Sequence, residues 1–123
     1  MAITVLIADD HRLFAEALEA ILAADRRIEV LAHAADGREA VDLARRLHPD
    51  VVLMDINMPV LDGIEALEEL QGNGNDSRIL MLTASNARDD VDRARRAGAD
   101  GYVTKDRIAA ELIDAIIEIA GRS

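Results

Sequence analysis

Hydrophobic and polar positions divide this chain into two alternating kinds of segment. Ile3–Ala8, Val51-Val52-Leu53-Met54 and Ile79–Thr83 are nearly continuous apolar runs, the pattern of strands buried on both faces of a parallel sheet. Ile28–Ala34 and a short stretch from Gly101 to Val103 read as two further strands. The intervening stretches have helical period. Leu13/Phe14, Ala17/Leu18 and Ile21/Leu22 recur every four residues. Ala40, Val41, Ala44 and Leu47 line a second helix, and Ile64, Leu67 and Leu70 a third. Residues 87–97 form a fourth, with acids early, arginines late and Gly98 just beyond, the order that the helix dipole favours. A fifth spans roughly Arg107 to Ala120. Local signals mark the ends. Asp36/Glu39 and Asp62/Glu65 have capping-box spacing. Pro49 follows the second helix, 72–75 breaks the third, and Asp106 stands where it would cap the fifth.

Strict alternation of strand and helix calls for a parallel, doubly wound α/β sheet with right-handed crossovers. The common five-stranded solution is the flavodoxin-like order 2-1-3-4-5, whose switch point lies between strands 1 and 3. Ligands of such sheets bind outside the carboxyl ends of the strands at that point. Asp9 and Asp10 follow strand 1 and Asp55 ends strand 3, so three carboxylates are expected in one crevice.

Composition narrows the class. At 123 residues the chain is read as one domain covering 1–123, long enough to bury a core unaided. With one Tyr, one Phe and no Trp, the core is aliphatic, and neither Phe14 nor Tyr102 reads as routine filling. The absence of cysteine excludes disulfides and thiolate metal sites and fits a reducing compartment. No basic-then-apolar leader opens the chain and no apolar run reaches ~18 residues, so the expectation is a cytoplasmic protein without membrane contact. A formal charge of -10 argues against a duplex-binding surface, because phosphate neutralisation needs clustered Lys and Arg.

Three carboxylates at close range raise one another's pKa unless a cation compensates. An oxygen-donor set favours a hard divalent ion, magnesium rather than zinc. The plainer alternative is that Asp10 caps the first helix and Asp55 merely ends a strand. Two more strand ends face the crevice. Thr83 closes strand 4, where its hydroxyl could reach an anion at Asp55, and the small Ala84 leaves room. Lys105 follows strand 5 and is the one lysine among fourteen basic residues, which suits a place needing a compact point charge rather than a planar fork. His11, His33 and His48 have no ligand spacing with one another and read as structural or surface residues.

These residues together carry a resemblance. Asp9-Asp10, Asp55-Ile56-Asn57-Met58-Pro59 with Asp62-Gly63, Thr83-Ala84 and Gly98 to Lys105 resemble the receiver domain of two-component response regulators over the whole chain. Ala8 to Phe14 and Gly101 to Asp106 are similar to the NarL/FixJ-type subgroup. The resemblance implies that Asp55 accepts a phosphoryl group from a sensor histidine kinase. It implies that Asp10, Asp55 and the Asn57 carbonyl coordinate Mg2+, with Asp9 helping through water, and that Thr83 and Lys105 contact phosphoryl oxygens. It implies a switch in which Thr83 moves toward the phosphoryl group and Tyr102 turns inward. The fourth helix, with Val91 as its one large apolar residue, suits a mobile face. The family's frequent proline after the lysine is Asp106 here.

The subgroup usually adds a DNA-binding output domain; none is expected within this chain, so transcriptional output would belong to a longer one. The last helix carries two apolar stripes: Ile108, Leu112, Ala115, Ile116 and Ile119, and beside it Ala109, Ile113, Ile117 and Ala120. The second is either core flank or a surface for dimerisation or an output domain. Two rivals remain. A haloacid-dehalogenase-type phosphohydrolase would carry a second aspartate where Asn57 stands, so a phosphorylated switch is expected rather than a turnover enzyme. A pseudo-receiver, acting by protein contacts without phosphorylation, would have lost part of the acidic set or the lysine. A dinucleotide binder fails earlier, since Asp9-Asp10 replaces a glycine loop and would repel a pyrophosphate.

Overall fold

In the computed structural model, which describes residues 2–72, 74–84 and 88–121, five strands and five α-helices alternate along the chain. The strands are β1 (Ile3–Ala8), β2 (Ile28–Ala34), β3 (Val51–Asp55), β4 (Arg78–Thr83) and β5 (Gly101–Thr104). The helices are α1 (Arg12–Ala23), α2 (Gly37–Leu47), α3 (Gly63–Gly72), α4 (Arg88–Ala97) and α5 (Ile108–Ala120). The sheet is parallel in the order β2-β1-β3-β4-β5, as the alternation predicted. Asn73 of the expected break and Ala87 of the expected fourth helix lie outside the described residues.

Successive strand residues point to opposite faces, and each face has its own core. Leu6, Val52, Met54, Ile79 and Met81 pack with α2 and α3 through Val41, Ile64, Leu67 and Leu70. Val5, Ile7, Leu53, Leu80 and Leu82 pack with α1 and α5 through Leu18, Leu22, Leu112 and Ile116. Every residue of β3 is buried, which explains its unbroken apolar sequence. β2 lies at the edge and alternates between buried and exposed. Its register against β1 slips at Leu31, a bulge that leaves that leucine exposed.

The capping boxes form. Glu65 N–H donates to Asp62 Oδ1 at 2.8 Å while Asp62 N–H donates to Glu65 Oε1 at 3.1 Å. At α2, Glu39 N–H reaches Asp36 Oδ1 at 2.8 Å, but the return bond comes from Ala35 N–H. Gly98 closes α4 at φ 101°, with Gly98 N–H on the Arg95 carbonyl and Ala99 N–H on that of Ala94.

One local expectation is corrected and two are refined. Asp106 caps nothing: Lys105–Arg107 form a 3₁₀ turn, so Asp106 lies inside a helical turn, and α5 follows from Arg107 without a side-chain cap. In α1 the buried residues are Ala15, Leu18 and Leu22; of the four-residue pairs, Phe14, Leu18, Ile21 and Leu22 face the core, while Ala17 and Leu13, the latter 81% exposed, do not. The second stripe of α5 is divided, with Ile113 and Ala120 packed at the core's edge and Ala109 exposed. Among the described residues no helix is long and apolar enough to cross a membrane.

Candidate functional site

β1 and β3 are neighbours in the sheet, with Ala8 opposite Met54. Their ends therefore deliver Asp9 and Asp55 to one crevice. Asp9 is wholly buried and Asp55 is 3% exposed, whereas Asp10 stands at the rim. One carboxylate oxygen from each, together with a ring nitrogen of His11, lies within 4.8 Å of all the others. The turn into α1 holds Asp9 in place: His11 N–H donates to Asp9 Oδ1 at 2.8 Å. The N-cap of α1 is His11, with no side-chain cap, so helix capping does not account for Asp10.

Lys105 reaches into this cluster from the turn after β5. Its Nζ lies 3.3 Å from Asp9 Oδ2 and 3.3 Å from Asp55 Oδ2. One ammonium thus serves two buried carboxylates, leaving net negative charge in a desolvated place. Burial pushes the Asp55 carboxyl above the usual carboxylate range, and the charge of Asp9 adds to the rise. Lys105 and the Asn57 N–H, which donates to Asp55 Oδ1 at 3.3 Å, offset part of it. No described peptide bond is cis, so the Lys105–Asp106 link is trans.

Thr83 ends β4, one residue past the partner of Asp55 in the β3–β4 register. It is 2% exposed, and its Oγ1 has no hydrogen-bond partner among the described groups. A buried hydroxyl left so costs desolvation without return. Ala84 beside it is exposed. Tyr102, by contrast, points outward, 45% exposed, with the Arg95 guanidinium 5.9 Å from its ring centre. It borders a cavity of about 440 Å³ between α4 and α5, lined also by Leu80, Val91, Ala115 and Ile119. Of α4, Ala94 alone is buried among the described residues.

The crevice thus brings together Asp9, Asp10, Asp55 and Lys105, with Thr83 at the adjoining strand end and Asn57 at the rim; Tyr102 lies apart. Sequence reasoning missed four residues. His11, read as a surface residue, is exposed, yet its Nδ1 is 3.4 Å from Asp9 Oδ1 and 3.3 Å from Asp10 Oδ1. A ring nitrogen thus stands against the acidic oxygens, at ion-pair distance when protonated. Adjacency to Asp10 was the available signal, since spacing among the histidines carried none. His33 Nε2 lies 3.0 Å from the Asp9 carbonyl oxygen. Gly63 lets the chain pass against β3: a Cβ there would overlap the Asp55 carbonyl oxygen and stand 2.8 Å from Ile56 Cα. Phe14 lies under the Lys105 ammonium, 4.4 Å from ring centre to Nζ.

The acidic donors fit a divalent cation: two are buried, they converge, and one lysine does not neutralise them. The orphaned Thr83 hydroxyl and the ammonium fit an anion beside Asp55. Together they can bind a cation and an oxyanion on a carboxylate nucleophile.

Comparison with known proteins finds relatives in sequence and in structure. Residues 5–117 match the family model described as the response regulator receiver domain. The nitrate/nitrite response regulator NarP of Escherichia coli is 43% identical over 112 residues, 91% of this chain and 52% of that protein. The transcriptional regulatory protein DegU of Brevibacillus brevis is 40% identical over 96% of this chain and 50% of its own length. The chain thus spans about half the length of these curated relatives. Among solved structures, the signal receiver domain of NarL from Mycobacterium tuberculosis superposes with a TM-score of 0.93 at 31% identity, covering 98% of each chain. The response regulator domain of Thermotoga maritima CheB gives 0.93 at 31% identity, covering 100% of this chain and 99% of that one.

Proposed function

The chain belongs to the family of response regulator receiver domains, and from that premise we propose that Asp55 is its phosphoacceptor, charged by a sensor histidine kinase in a magnesium-dependent reaction. The observation that carries this reading is the convergence of buried Asp9 and Asp55 on one ammonium, with the adjoining strand ending in a buried hydroxyl that has no partner among the described residues.

An Asp55 carboxylate oxygen attacks phosphorus and forms an acyl phosphate. The donor's bond to phosphorus breaks, and the leaving group departs with that electron pair. Phosphoryl transfer is mainly positioning and charge neutralisation. Asp10, Asp55 and the Asn57 carbonyl would hold Mg2+, with Asp9 assisting through water. The ion supplies charge neutralisation for the phosphoryl oxygens. Lys105 adds a second positive charge already seated against Asp55, and Thr83 gives its hydroxyl the acceptor it lacks.

Output follows from the Thr83 hydroxyl moving toward the new phosphoryl group. Tyr102, now outward beside Arg95, then turns toward the space freed near β4. α4 buries little of itself and shifts with it, a change in population between existing states. That face would act on an output domain or a second copy of the chain. Relatives named as transcriptional regulators support transcription control as the outcome in a longer polypeptide. The proposed setting is the cytoplasm, where the kinase's catalytic part resides.

Intact mass after incubation with acetyl phosphate tests the reading. A magnesium-dependent gain of one phosphoryl group, absent in Asp55→Asn, is expected. A folded, magnesium-binding protein that gains none would instead be a pseudo-receiver acting through contacts alone.

A further inference from the structure

Phe14 is the chain's one phenylalanine and Lys105 its one lysine, and they meet. The Lys105 ammonium has three N–H groups to satisfy. Asp9 Oδ2 and Asp55 Oδ2 each lie 3.3 Å away. The Phe14 ring centre lies 4.4 Å away, well within the ~6 Å over which a ring's negative face attracts a cation. Lys105 is 26% exposed at its side chain, so water screens this attraction only in part.

The two residues are held very differently. Phe14 sits in the first turns of α1 and packs against the core beneath, in line with the fully buried Leu18 and Leu22. Lys105 hangs from a short 3₁₀ turn on a long flexible stem, and nothing in that turn dictates where its ammonium goes. A rigid ring beneath a flexible cation restricts the cation, not the reverse. Asp9 and Asp10 also immediately precede α1. The element that presents the ring is therefore the one joined to the acidic residues.

We propose that Phe14 is a positioning residue for phosphoryl transfer to Asp55: its ring face holds the Lys105 ammonium between the two buried carboxylates before the donor arrives. This rests on Asp55 being the phosphoacceptor. Phe14 touches neither donor nor phosphorus and acts through Lys105. A ring that merely filled space at the edge of the core would be replaced by any apolar side chain of similar size. A ring acting through its π face would be replaced by tyrosine and not by leucine.

The single lysine makes the test direct. Protein labelled with 13C,15N-lysine yields one set of side-chain NMR signals, assigned without mutagenesis. In the wild type the Lys105 Hε protons are expected upfield of their position in free lysine, because the ammonium they adjoin lies over the ring. Phe14→Leu should abolish that shift and slow the magnesium-dependent phosphorylation by acetyl phosphate about threefold to tenfold. Phe14→Tyr should restore both. Circular dichroism melts of the two variants identify any loss of rate that comes from unfolding. Lys105 protons at free-lysine positions in the wild type overturn the proposal, as does a folded Phe14→Leu protein phosphorylated at the wild-type rate. So does a Phe14→Tyr protein that is folded but as slow as Phe14→Leu. Wild-type protein that shows the upfield shift but accepts no phosphoryl group overturns the assignment of Asp55 and this role together, leaving only the contact.

Discussion

Replacing Thr83 with valine should make the protein more stable and worse at its task. The side chain is 2% exposed, and its hydroxyl has no hydrogen-bond partner among the described groups. Valine keeps the β-branched shape, so the change leaves no cavity and suits the strand. What it removes is a buried polar atom whose desolvation is not offset. Mutational data set that cost at about 1–3 kcal/mol. Allowing for partial relaxation around the hydroxyl, a gain of about 1–2 kcal/mol is expected. With a urea slope of about 2 kcal/mol/M, the midpoint rises by roughly 0.5–1 M at unchanged slope. The measurement is equilibrium urea unfolding with EDTA present, followed by circular dichroism. The same variant lacks the donor assigned to the phosphoryl oxygens, so its phosphorylated yield should fall under conditions that saturate the wild type. Opposite signs in stability and function mark a residue kept for chemistry rather than packing. A midpoint unchanged or lowered would show that the hydroxyl is already satisfied in the unphosphorylated protein and would refute the reasoning.

Other substitutions probe the scaffold around the site. Val60 is a β-branched residue at φ 71°, 81% exposed, a conformation costing about 1–3 kcal/mol. Val60→Gly relieves that strain and costs about 0.5–1 kcal/mol of backbone entropy, so thermal melts should show a net gain of about 1 kcal/mol. Gly63→Ala sets a Cβ against the backbone of Asp55 and Ile56. Destabilisation of about 1–3 kcal/mol is expected, with phosphorylation slowed by roughly 100-fold through displacement of Asp55; a wild-type rate would show that β3 moves freely. Arg27 draws the Asp25 carboxyl down from 3.8 to about 2. Its stabilising contribution is therefore complete above about pH 4 and lost as the pH falls toward 2. Asp25→Asn should be less stable than the wild type at pH 6, with the gap closing across that acid window. A gap that persists at pH 2 would mean the carboxylate's charge is not the cause.

The parts of this molecule legible in sequence are those where one local rule governs and no distant group intervenes. β3 is apolar throughout because both its faces are covered, and the Asp62/Glu65 box closes because its partners are three residues apart. Once alternation implied the strand order, Asp9 and Asp55 had to meet. The misses share the opposite character. His48 takes φ 48° at the end of α2 without being glycine or asparagine, so no residue type announced it; Pro49 marked only that the helix had stopped. Asp106 has the composition of a cap but falls inside a 3₁₀ turn, and capping depends on backbone angles that composition does not encode. Phe14 was the more instructive miss. Its scarcity marked it as unusual, but helical periodicity grouped it with Leu13, which faces water. The contact that explains it is to Lys105, which also closes on Asp9 across 96 positions of sequence. Such a contact follows from the fold and from nothing local. The carboxylates of a receiver site can be read from the ends of strands, because the sheet fixes where strand ends go. The groups that hold its lysine cannot, because a long side chain on a turn takes its place from whatever the neighbouring helix presents.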